Sequence, residues 1–521
     1  MARTSGRSAA LVGAGIFLSR IAGLVRQRVF AHYLGLSDEA DVLTASFRIP
    51  NLLQNLLGEG ALSASFIPVY ARLVAEGKDE DARFLAGAVA GLLALVVSII
   101  VALGVLAAPV VVNLLVPGFT GAKHQLTVEV VRILFPATAL LVLSAWCLGI
   151  LNSHGKFFLS YTAPVVWNAT LIVATLAVGA RVLPERLVMD IAWAAVAGSL
   201  LQLLVQLPST VALTRGLRLS MDATHADVAK VLGNFGPALM GRGVNQVSAY
   251  VDAFIASLLG QGAVAAISSA QMLYTLPVSL FGMSVSAAEL PAMSAATGEE
   301  SERHAIMRHR LEDGLHRIAF FVVPCSAAFV TLGDVVAGAV FQTGRFSAQD
   351  SRYVWAILAG SAVGLLASTL SRLSSSTFYA LGDTRTPLRY AMVRVALTTG
   401  LGFAGALLVP RLLGIELRWG AVGLSATAGV SAWVEFLLLR HTLAQRIGAA
   451  HFRPGYLPRL WVAAGTGALT AWTILMQLEQ VGPLVRAALA LVPFTLVYLG
   501  LSLVFRIPTA VALLAEVRRR D

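Results

Sequence analysis

The stretch that decides the fold runs from Ser19 to Pro68 and reads SRIAGLVRQRVFAHYLGLSDEADVLTASFRIPNLLQNLLGEGALSASFIP. Most of it is apolar enough to cross a membrane. Its apolar runs nevertheless contain Arg20, Arg26, Arg28, Asp41, Arg48 and Glu59. Because a charge at the bilayer centre costs about 2.5–3.5 kcal/mol on insertion scales, such residues rarely face lipid. We therefore expect these side chains to face a water-filled cavity.

The polar residues share one face of each predicted helix. At 100° per residue, those from Gly13 to Gln27 fall within about 140°, and those from Asp41 to Glu59 within about 100°. A helix with one polar stripe suits a position between lipid or protein and water. The alternative is that the arginines extend from helix ends to the lipid headgroups. The sequence leaves this open, above all for Arg28.

The composition is that of a polytopic membrane protein. Of 521 residues, 57% are hydrophobic and 13% are charged, against about 25% charged in soluble domains. The net charge of +11 does not indicate nucleic-acid binding, because the basic residues are distributed over short loops, as membrane orientation requires. Cys147 and Cys325 lie in apolar runs and are predicted to be core residues rather than a disulfide.

Apolar runs of about 20 residues mark the membrane spans. They predict an all-α polytopic membrane protein with about fourteen transmembrane helices. The predicted spans cover residues 9–33, 40–72, 84–115, 126–152, 158–180, 188–213, 226–259, 263–296, 315–341, 353–381, 387–411, 418–445, 458–478 and 482–515.

The loops between the predicted spans indicate the orientation in the membrane. Arg and Lys are concentrated at the amino terminus, in the carboxy-terminal tail and in alternate loops, whereas the intervening loops hold far fewer. The positive-inside rule then places both termini in the cytoplasm. An even number of spans agrees with this orientation.

Two landmarks repeat along the chain. The stretch from Ser19 resembles GRGVNQVSAYVDAFIASLLG, which begins at residue 241, and LNSHGKF near residue 155 resembles FYALGDTRTP near residue 382. The similar offsets predict two six-helix lobes, residues 1–220 and 221–450, related by a pseudo-two-fold axis along the membrane normal. Transporters with such repeats hold the substrate between their halves. Residues 451–521 are predicted to form two additional transmembrane helices and a basic cytoplasmic tail.

The second half also has polar residues at membrane depth. Arg242 and Gln246 are one helical turn apart in one predicted span, and Asp252 follows them in that span. Glu289 ends a polar stripe in the next span. Asp252 and Glu289 are candidates for cavity residues or for partners that neutralise a buried arginine.

Motifs of soluble enzymes are missing from the sequence. HGKF at residues 154–157 is not a nucleotide-binding loop, because Ile150 stands where a glycine is needed. The sequence contains no H-E-x-x-H motif and no Cys/His cluster. We therefore predict a protein with no catalytic residue, no metal site and no cofactor.

Several motifs together identify a family. They are SRIAGLVR at 19–26, Asp41 near the start of the second helix, FRIPNLL at 47–53, GEGALSASFIPV at 58–69 and ALGDTRTP at 380–387. These motifs resemble those of the MurJ/MviN family, which comprises lipid II flippases of the MOP exporter superfamily. The resemblance extends over essentially the whole chain.

The resemblance implies transport of the lipid-linked peptidoglycan precursor from the cytoplasmic to the periplasmic leaflet of the bacterial inner membrane, by alternating access around a basic central cavity. Guanidinium groups suit the diphosphate of this cargo, since they bind its oxygens in pairs. Arg20 and Arg26 are the expected phosphate ligands, and Asp41 is expected to orient an arginine or to gate the periplasmic side. The residues at matching family positions are Ser19, Arg20, Arg26, Asp41, Arg48, Asn51 and Glu59.

The sequence departs from the family pattern at two positions. Gln54 and Met272 stand where the family has arginines. We hypothesise that Arg242 replaces the lost cation and that Glu289 balances its charge. Gln246, one turn from Arg242, is included in the predicted cavity.

Other functions stay open at this point. The chain could transport another anionic lipid-linked oligosaccharide, or it could be a non-transporting scaffold for cell-wall enzymes, although a scaffold has no need of charges at membrane depth. A coupling cation, the proton motive force or the membrane potential would drive transport, with Asp252 and Glu289 as candidate coupling residues. The expected partners are lipid II, membrane lipids and the cell-wall synthesis machinery.

Overall fold

The computed structural model of the chain describes residues 2–478 and 481–518, with the side chains of 2–14, 16, 59, 237, 238, 240–245, 247 and 516–518 outside the description. The described residues form helices and no strand, which confirms the all-α fold. They divide into two compact units. The first contains residues 1–265 and 343–345, and the second contains residues 266–342 and 346–521.

The first unit contains nine α-helices and one π-helical segment in its described residues. The π-helical segment is Gln54–Leu62. The helices are α1 (Ala2–Leu34), α2 (Asp38–Leu53), α3 (Ser63–Ala75), α4 (Asp79–Leu106), α5 (Ala108–Leu115), α6 (Gly121–Ser153), α7 (Phe157–Val178), α8 (Pro184–Leu213) and α9 (Ala226–Ser257).

The second unit begins within α10, whose first three residues belong to the first unit. Two π-helical segments, Val278–Met283 and Ala404–Leu408, and a 3₁₀ turn, Leu417–Trp419, interrupt its described helices. The helices are α10 (Ala263–Pro277), α11 (Ser284–Ser294), α12 (Glu300–Thr331), α13 (Gly333–Phe341), α14 (Ala348–Ala362), α15 (Leu365–Ala380), α16 (Arg385–Phe403), α17 (Val409–Leu413), α18 (Gly420–Ile447), α19 (Tyr456–Met476), α20 (Pro483–Val504) and α21 (Pro508–Arg518).

Each predicted span coincides with one helix or with a run of consecutive helices. Among the described residues, nine helical stretches are long and apolar enough to cross a membrane, or ten if the bent pair of α14 and α15 counts as one span. The chain is therefore a multi-pass membrane protein. The number of fourteen spans, the lobe boundaries at 220 and 450 and the pseudo-two-fold axis stay predictions.

Two pairs of helix interruptions recur at nearly the same spacing, close to the offset on which the predicted repeat was based. π-helical segments follow Pro50 in the second predicted span and Pro277 in the eighth, and these prolines stand 227 positions apart. The breaks at Ala107, between α4 and α5, and at Leu332, between α12 and α13, stand 225 positions apart. A proline removes one backbone hydrogen bond of an α-helix, and both π-helical segments begin within four residues after such a proline.

Buried apolar residues pack the helices of each unit together. In the first unit, Val228 and Val231 of α9 join a buried cluster formed by α3, α4 and α6, which is why α9 belongs to that unit. In the second unit, Ala468 and Ala471 of α19 pack with alanines of α20 against α12 and α13. The two additional helices predicted at the carboxy end are thus part of the second unit.

Two glycines of α4 hold the segment 214–225, which connects α8 with α9. A Cβ atom at Gly87 would collide with the carbonyl oxygen of Arg218, and one at Gly91 with that of Ser220. The amide of Ser220 donates to the carbonyl oxygen of Gly87 at 3.4 Å, and Arg83 donates to the carbonyl oxygen of Arg215 at 3.0 Å. The connecting segment is therefore seated on α4 by backbone contact, which only glycine permits at these two positions.

We expect Gly87→Ala combined with Gly91→Ala to lower the stability of the chain. Overpacking costs about 1–3 kcal/mol per site, more than the gain in helix propensity of up to about 1 kcal/mol. The matched control combines Gly233→Ala with Gly236→Ala on α9, where a Cβ meets no atom within 4 Å. Thermal unfolding in detergent should give a lower Tm for the α4 variant alone. Equal Tm values for the two variants would contradict the conclusion that Gly87 and Gly91 are needed for segment 214–225 to pack on α4.

The ALGDTRTP motif forms the turn before α16. Gly382 has a positive φ of 77°, and Asp383 accepts hydrogen bonds from the amides of Arg385 and Thr386, both at 3.0 Å. Asp383 also pairs with Arg446 of α18 at 2.8 Å. The hydrogen bonds from Thr386, with Arg446 as a smaller cause, lower the pKa of the Asp383 carboxyl below its usual value.

The lowered pKa of Asp383 predicts a pH-dependent contribution to stability. The contribution is fully present above the usual aspartate pKa of about 3.9 and is lost as the pH falls through the lower pKa of the folded state. We expect Asp383→Ala to have a lower Tm than the wild type at pH 6, and the difference to shrink below pH of about 3. A difference that does not depend on pH would show that the carboxylate charge does not contribute.

Candidate functional site

Arg26, on α1, lies between aromatic rings. Its guanidinium carbon lies 4.9 Å from the centre of the Trp167 ring and 5.8 Å from that of Phe30. Nη1 donates a hydrogen bond of 2.9 Å to Oδ1 of Asn168, and the Asn168 amide donates in turn to the carbonyl oxygen of Pro164. Cation–π contacts contribute about 0.5–2 kcal/mol. The rings therefore hold the guanidinium in place without neutralising it.

The guanidinium of Arg26 has hydrogen-bonding capacity left over. Its Nε is buried and has no hydrogen-bond partner among the residues that the structure describes. A buried donor without an acceptor is costly. Oxygens of a phosphate or a carboxylate are the acceptors that a guanidinium binds best. The surroundings of Arg26 are therefore suited to an anionic ligand.

Asp41, near the start of α2, has no exposed surface. Oδ2 accepts hydrogen bonds from Nζ of Lys123 and from the amide of Gly262, both at 2.7 Å. Oδ1 accepts from the amide of Ala265 at 2.8 Å, and Lys123 also pairs with Asp38 at 2.7 Å. The carboxylate thus joins α2 to the first turn of α6 and to the first turn of α10, all within the first unit.

The two amides bound by Asp41 are ones that a helix leaves without an acceptor. α10 begins at Ala263, so the N–H groups of Gly262 and Ala265 have no acceptor within the helix. The carboxylate of Asp41 supplies one, and it meets the positive end of the helix dipole. In this structure Asp41 is engaged as a helix cap and an ion-pair partner.

Arg48 connects α2 with α9. Its Nη1 donates to the carbonyl oxygen of Ala249 at 2.5 Å, and the hydroxyl of Tyr250 donates to the carbonyl oxygen of Arg48 at 3.0 Å. Asp252, two residues after Tyr250 on α9, is close enough for its charge to attract Arg48. Arg48 and Asp252, both predicted from the sequence, are therefore brought together by the fold.

The other predicted residues of the first unit differ in exposure. Ser19 and Gln246 are half-buried, whereas Arg20 and Asn51 are exposed. The side chains of Glu59 and Arg242 lie outside the described residues. The hypothesis that Arg242 replaces a missing arginine therefore stays a prediction.

Glu289, in the second unit, is 8% exposed. It lies 3.4 Å from Arg310 and 3.6 Å from Arg317, both on α12. Glu289 is therefore paired with arginines, but these arginine side chains are 42% and 58% exposed, so neither of them is the buried arginine that the sequence analysis considered.

Sequence reasoning missed the partners of the predicted charges. In the sequence Lys123 is one cation of a loop before the predicted span 126–152. In the structure it is the counter-ion of Asp41. Trp167 and Asn168 stand next to each other in an apolar run, shortly after Pro164. An asparagine beside a tryptophan within a predicted span is the sequence signal that could have identified them. In the second unit, Arg394 forms an unpredicted ion pair with Glu435 at 2.9 Å.

Long apolar helices, with mid-span π-helical turns and sheltered charges, are the architecture of a polytopic membrane transporter. A family model described as "Lipid II flippase MurJ" matches residues 30–499. The chain therefore belongs to the MurJ family, a family of transporters rather than enzymes, and the resemblance seen in its motifs is confirmed.

Individual relatives agree with the family. The chain is 30% identical over 502 residues to the "Lipid II flippase MurJ" of Burkholderia cenocepacia, with 93% of this chain and 94% of the relative covered. It is 30% identical over 483 residues to the "Probable lipid II flippase MurJ" of Bdellovibrio bacteriovorus, with 90% and 88% covered.

Solved structures have the same fold. A "Lipid II flippase MurJ, inward closed conformation" matches with a TM-score of 0.79 at 23% identity, over 95% of this chain and 98% of that one. An inward-facing MATE family transporter of the MOP superfamily matches with a TM-score of 0.65 at 18% identity, over 81% and 95%.

We expect Lys123→Met to destabilise the chain by about 3–5 kcal/mol, because it leaves the buried Asp41 carboxylate without its cation. Adding Asp41→Asn removes the unpaired charge and should recover part of this loss. The Tm of the purified chain in detergent measures both effects.

The control for Lys123→Met is Arg186→Met on α8. Arg186 pairs with Asp190 at 3.1 Å and is 70% exposed, so its loss should change stability by at most about 1 kcal/mol. Equal losses of stability in Lys123→Met and Arg186→Met would show that the buried Asp41–Lys123 pair contributes no more to stability than an exposed ion pair.

Proposed function

We propose that this protein flips lipid II from the cytoplasmic to the periplasmic leaflet of the bacterial inner membrane, with both termini in the cytoplasm. Its membership of the MurJ family and the names of its relatives support this proposal. The single structural observation that carries it is Arg26, a guanidinium held by aromatic rings with a buried N–H group left for an acceptor.

The chemistry of the cargo matches this residue. Lipid II carries a diphosphate between its sugars and its lipid tail, and phosphate oxygens accept strong, charge-assisted hydrogen bonds from arginine. Trp167, Phe30 and Asn168 hold the Arg26 side chain before the ligand arrives, which lowers the entropy cost of binding. In the proposed site, Arg20 is the second phosphate ligand on α1, and Ser19, Arg48, Asn51 and Glu59 complete the amino-terminal side of the basic cavity.

Alternating access would require the contacts around Asp41 to open and close. The predicted orientation places the start of α2, of α6 and of α10 on the periplasmic side. We propose that the Asp41–Lys123 pair and the two amide hydrogen bonds hold these three helix ends together while the cargo is loaded from the cytoplasm. Their release would open the periplasmic side, in line with the predicted gating role of Asp41.

The driving force would be an ion gradient or the membrane potential. One elementary charge moved through the membrane field is worth about 2.3 kcal/mol per 100 mV, which is enough to bias a conformational equilibrium. Asp252 and Glu289 are the proposed coupling residues.

The function is tested in a bacterial strain depleted of its own lipid II flippase. We expect the wild-type chain to restore growth and Arg26→Ala to fail, because the alanine cannot bind the diphosphate. Arg26→Lys, which keeps the charge but loses the planar fork, should restore growth partially. The leaflet distribution of lipid II measures transport directly.

Arg181→Ala is the matched control, because Arg181 is exposed in a loop of the same unit. It should restore growth like the wild type. Normal rescue by Arg26→Ala would overturn the proposed role of Arg26. A stable, membrane-inserted wild-type chain that leaves lipid II in the cytoplasmic leaflet would refute the flippase function and favour another lipid-linked oligosaccharide as the cargo.

A further inference from the structure

α21 follows the membrane-spanning helix α20 after a short turn. α20, Pro483–Val504, is long and apolar enough to cross a membrane, and its 22 residues extend about 33 Å, slightly more than a hydrocarbon core of about 30 Å. The chain has therefore left the hydrocarbon core where α21, Pro508–Arg518, begins. The 11 residues of α21 extend only about 16 Å, so this helix cannot cross the membrane again.

The turn between α20 and α21 has an arginine where glycine is usual. The amide of Arg506 donates to the carbonyl oxygen of Leu503 at 2.9 Å. The amide of Ile507 donates to that of Ser502, also at 2.9 Å. These two hydrogen bonds form a Schellman cap, whose left-handed position normally holds glycine. Arg506 takes that position with a φ of 52°, and it is the one non-glycine residue with a positive φ within residues 2–478 and 481–518.

Arginine is strained in this backbone conformation. A side chain with a Cβ atom costs free energy at a left-handed φ, whereas glycine adopts it freely. The Arg506 side chain is exposed and forms no hydrogen bond or ion pair with the described residues. No contact within this part of the chain therefore offsets the strain. Backbone strain of this kind is concentrated at functional positions, which directs attention to a partner outside the protein.

α21 has an apolar face that the protein leaves uncovered. Ala510 is buried, and the hydroxyl of Thr509 lies 3.4 Å from that of Tyr456 on α19. One side of the helix is therefore held against the second unit. The large apolar side chains on its open side, between 39% and 48% exposed, are Val511, Leu513 and Leu514.

The leaflet at which α20 ends is the nearest apolar phase for this open face. Residues 507–515 carry no charge, and Arg518, Arg519 and Arg520 follow in the sequence. Apolar side chains accompanied by arginines are typical of helices that lie in the membrane interface, where the apolar side chains enter the acyl boundary and the cations meet the headgroups. The predicted orientation places this leaflet on the cytoplasmic side.

We propose that α21 and Arg506 form a surface that binds the cytoplasmic leaflet of the membrane. α21 lies in the interface with Leu513 and Leu514 among the acyl chains, and the guanidinium of Arg506 binds lipid phosphates. The surface fixes the depth at which α20 ends in the membrane. The inference goes beyond the proposed function and does not depend on the transported cargo.

Spin-label accessibility in phospholipid nanodiscs tests the position of α21. Leu514→Cys, combined with Cys147→Ser and Cys325→Ser, gives a full-length chain with one label. The control carries its label at Ser301→Cys, an exposed position in the first turn of α12, well before the predicted span 315–341. Oxygen dissolves in lipid, whereas a nickel chelate stays in water. We expect oxygen to reach the label at position 514 readily, and the chelate to reach it about tenfold less than the control label.

Two other results of the accessibility measurement would overturn the inference. If the chelate reached the labels at positions 514 and 301 equally, the open face of α21 would lie in water. If neither oxygen nor the chelate reached the label at position 514, another protein or a second copy of this chain would cover α21 instead of lipid.

Arg506→Gly tests the arginine separately from the helix. Because glycine adopts the left-handed φ without strain, we expect this variant to have a higher Tm than the wild type in non-ionic detergent. In nanodiscs its label at position 514 should become more accessible to the chelate, because the phosphate contact is lost. Arg506→Lys is the matched control, since it keeps the cation and should keep the label in lipid. An unchanged label in Arg506→Gly would refute the role of Arg506.

Discussion

Asp41 has no contact with solvent, so its carboxylate is stable only because Lys123 and two amide hydrogens replace the water that it has lost. The three donors come from two places far apart in the sequence, the start of α6 and the start of α10. Their meeting point sets the relative positions of the start of α2, of α6 and of α10. Since removal of one partner from such a buried pair costs several kcal/mol, this small group of atoms constrains much of the first unit.

The same requirement separates two kinds of charge in the molecule. Asp41, Glu289 and Glu435 each have a cation within ion-pair distance. Arg26 does not have a carboxylate at ion-pair distance among the described residues. Paired charges hold helices together, whereas an incompletely paired guanidinium keeps donors that an anionic ligand can use. Hydrogen-bond capacity that the fold leaves unused is thus the most direct structural sign of a binding residue here.

Much of the fold could be predicted from hydrophobic runs. The span predicted at 226–259 is α9, Ala226–Ser257, and the span predicted at 126–152 lies within α6, Gly121–Ser153. The site could be predicted only in part. A polar stripe shows which residues avoid lipid, and Arg26 and Asp41 were found in this way. It does not show what they touch, because Lys123 and Asn168 are 82 and 142 positions from the residues they bind.

The π-helical segments in the second and eighth predicted spans have a mechanical consequence. A π turn contains one residue more than the α-helical repeat. When neighbouring backbone groups exchange hydrogen bonds, the extra residue can move along the helix one turn at a time. The two ends of a span can then rotate against each other while nearly all backbone hydrogen bonds stay formed. In a bilayer a broken backbone hydrogen bond costs several kcal/mol. Movement of a π turn along the span therefore lets the helix twist at a low cost in free energy.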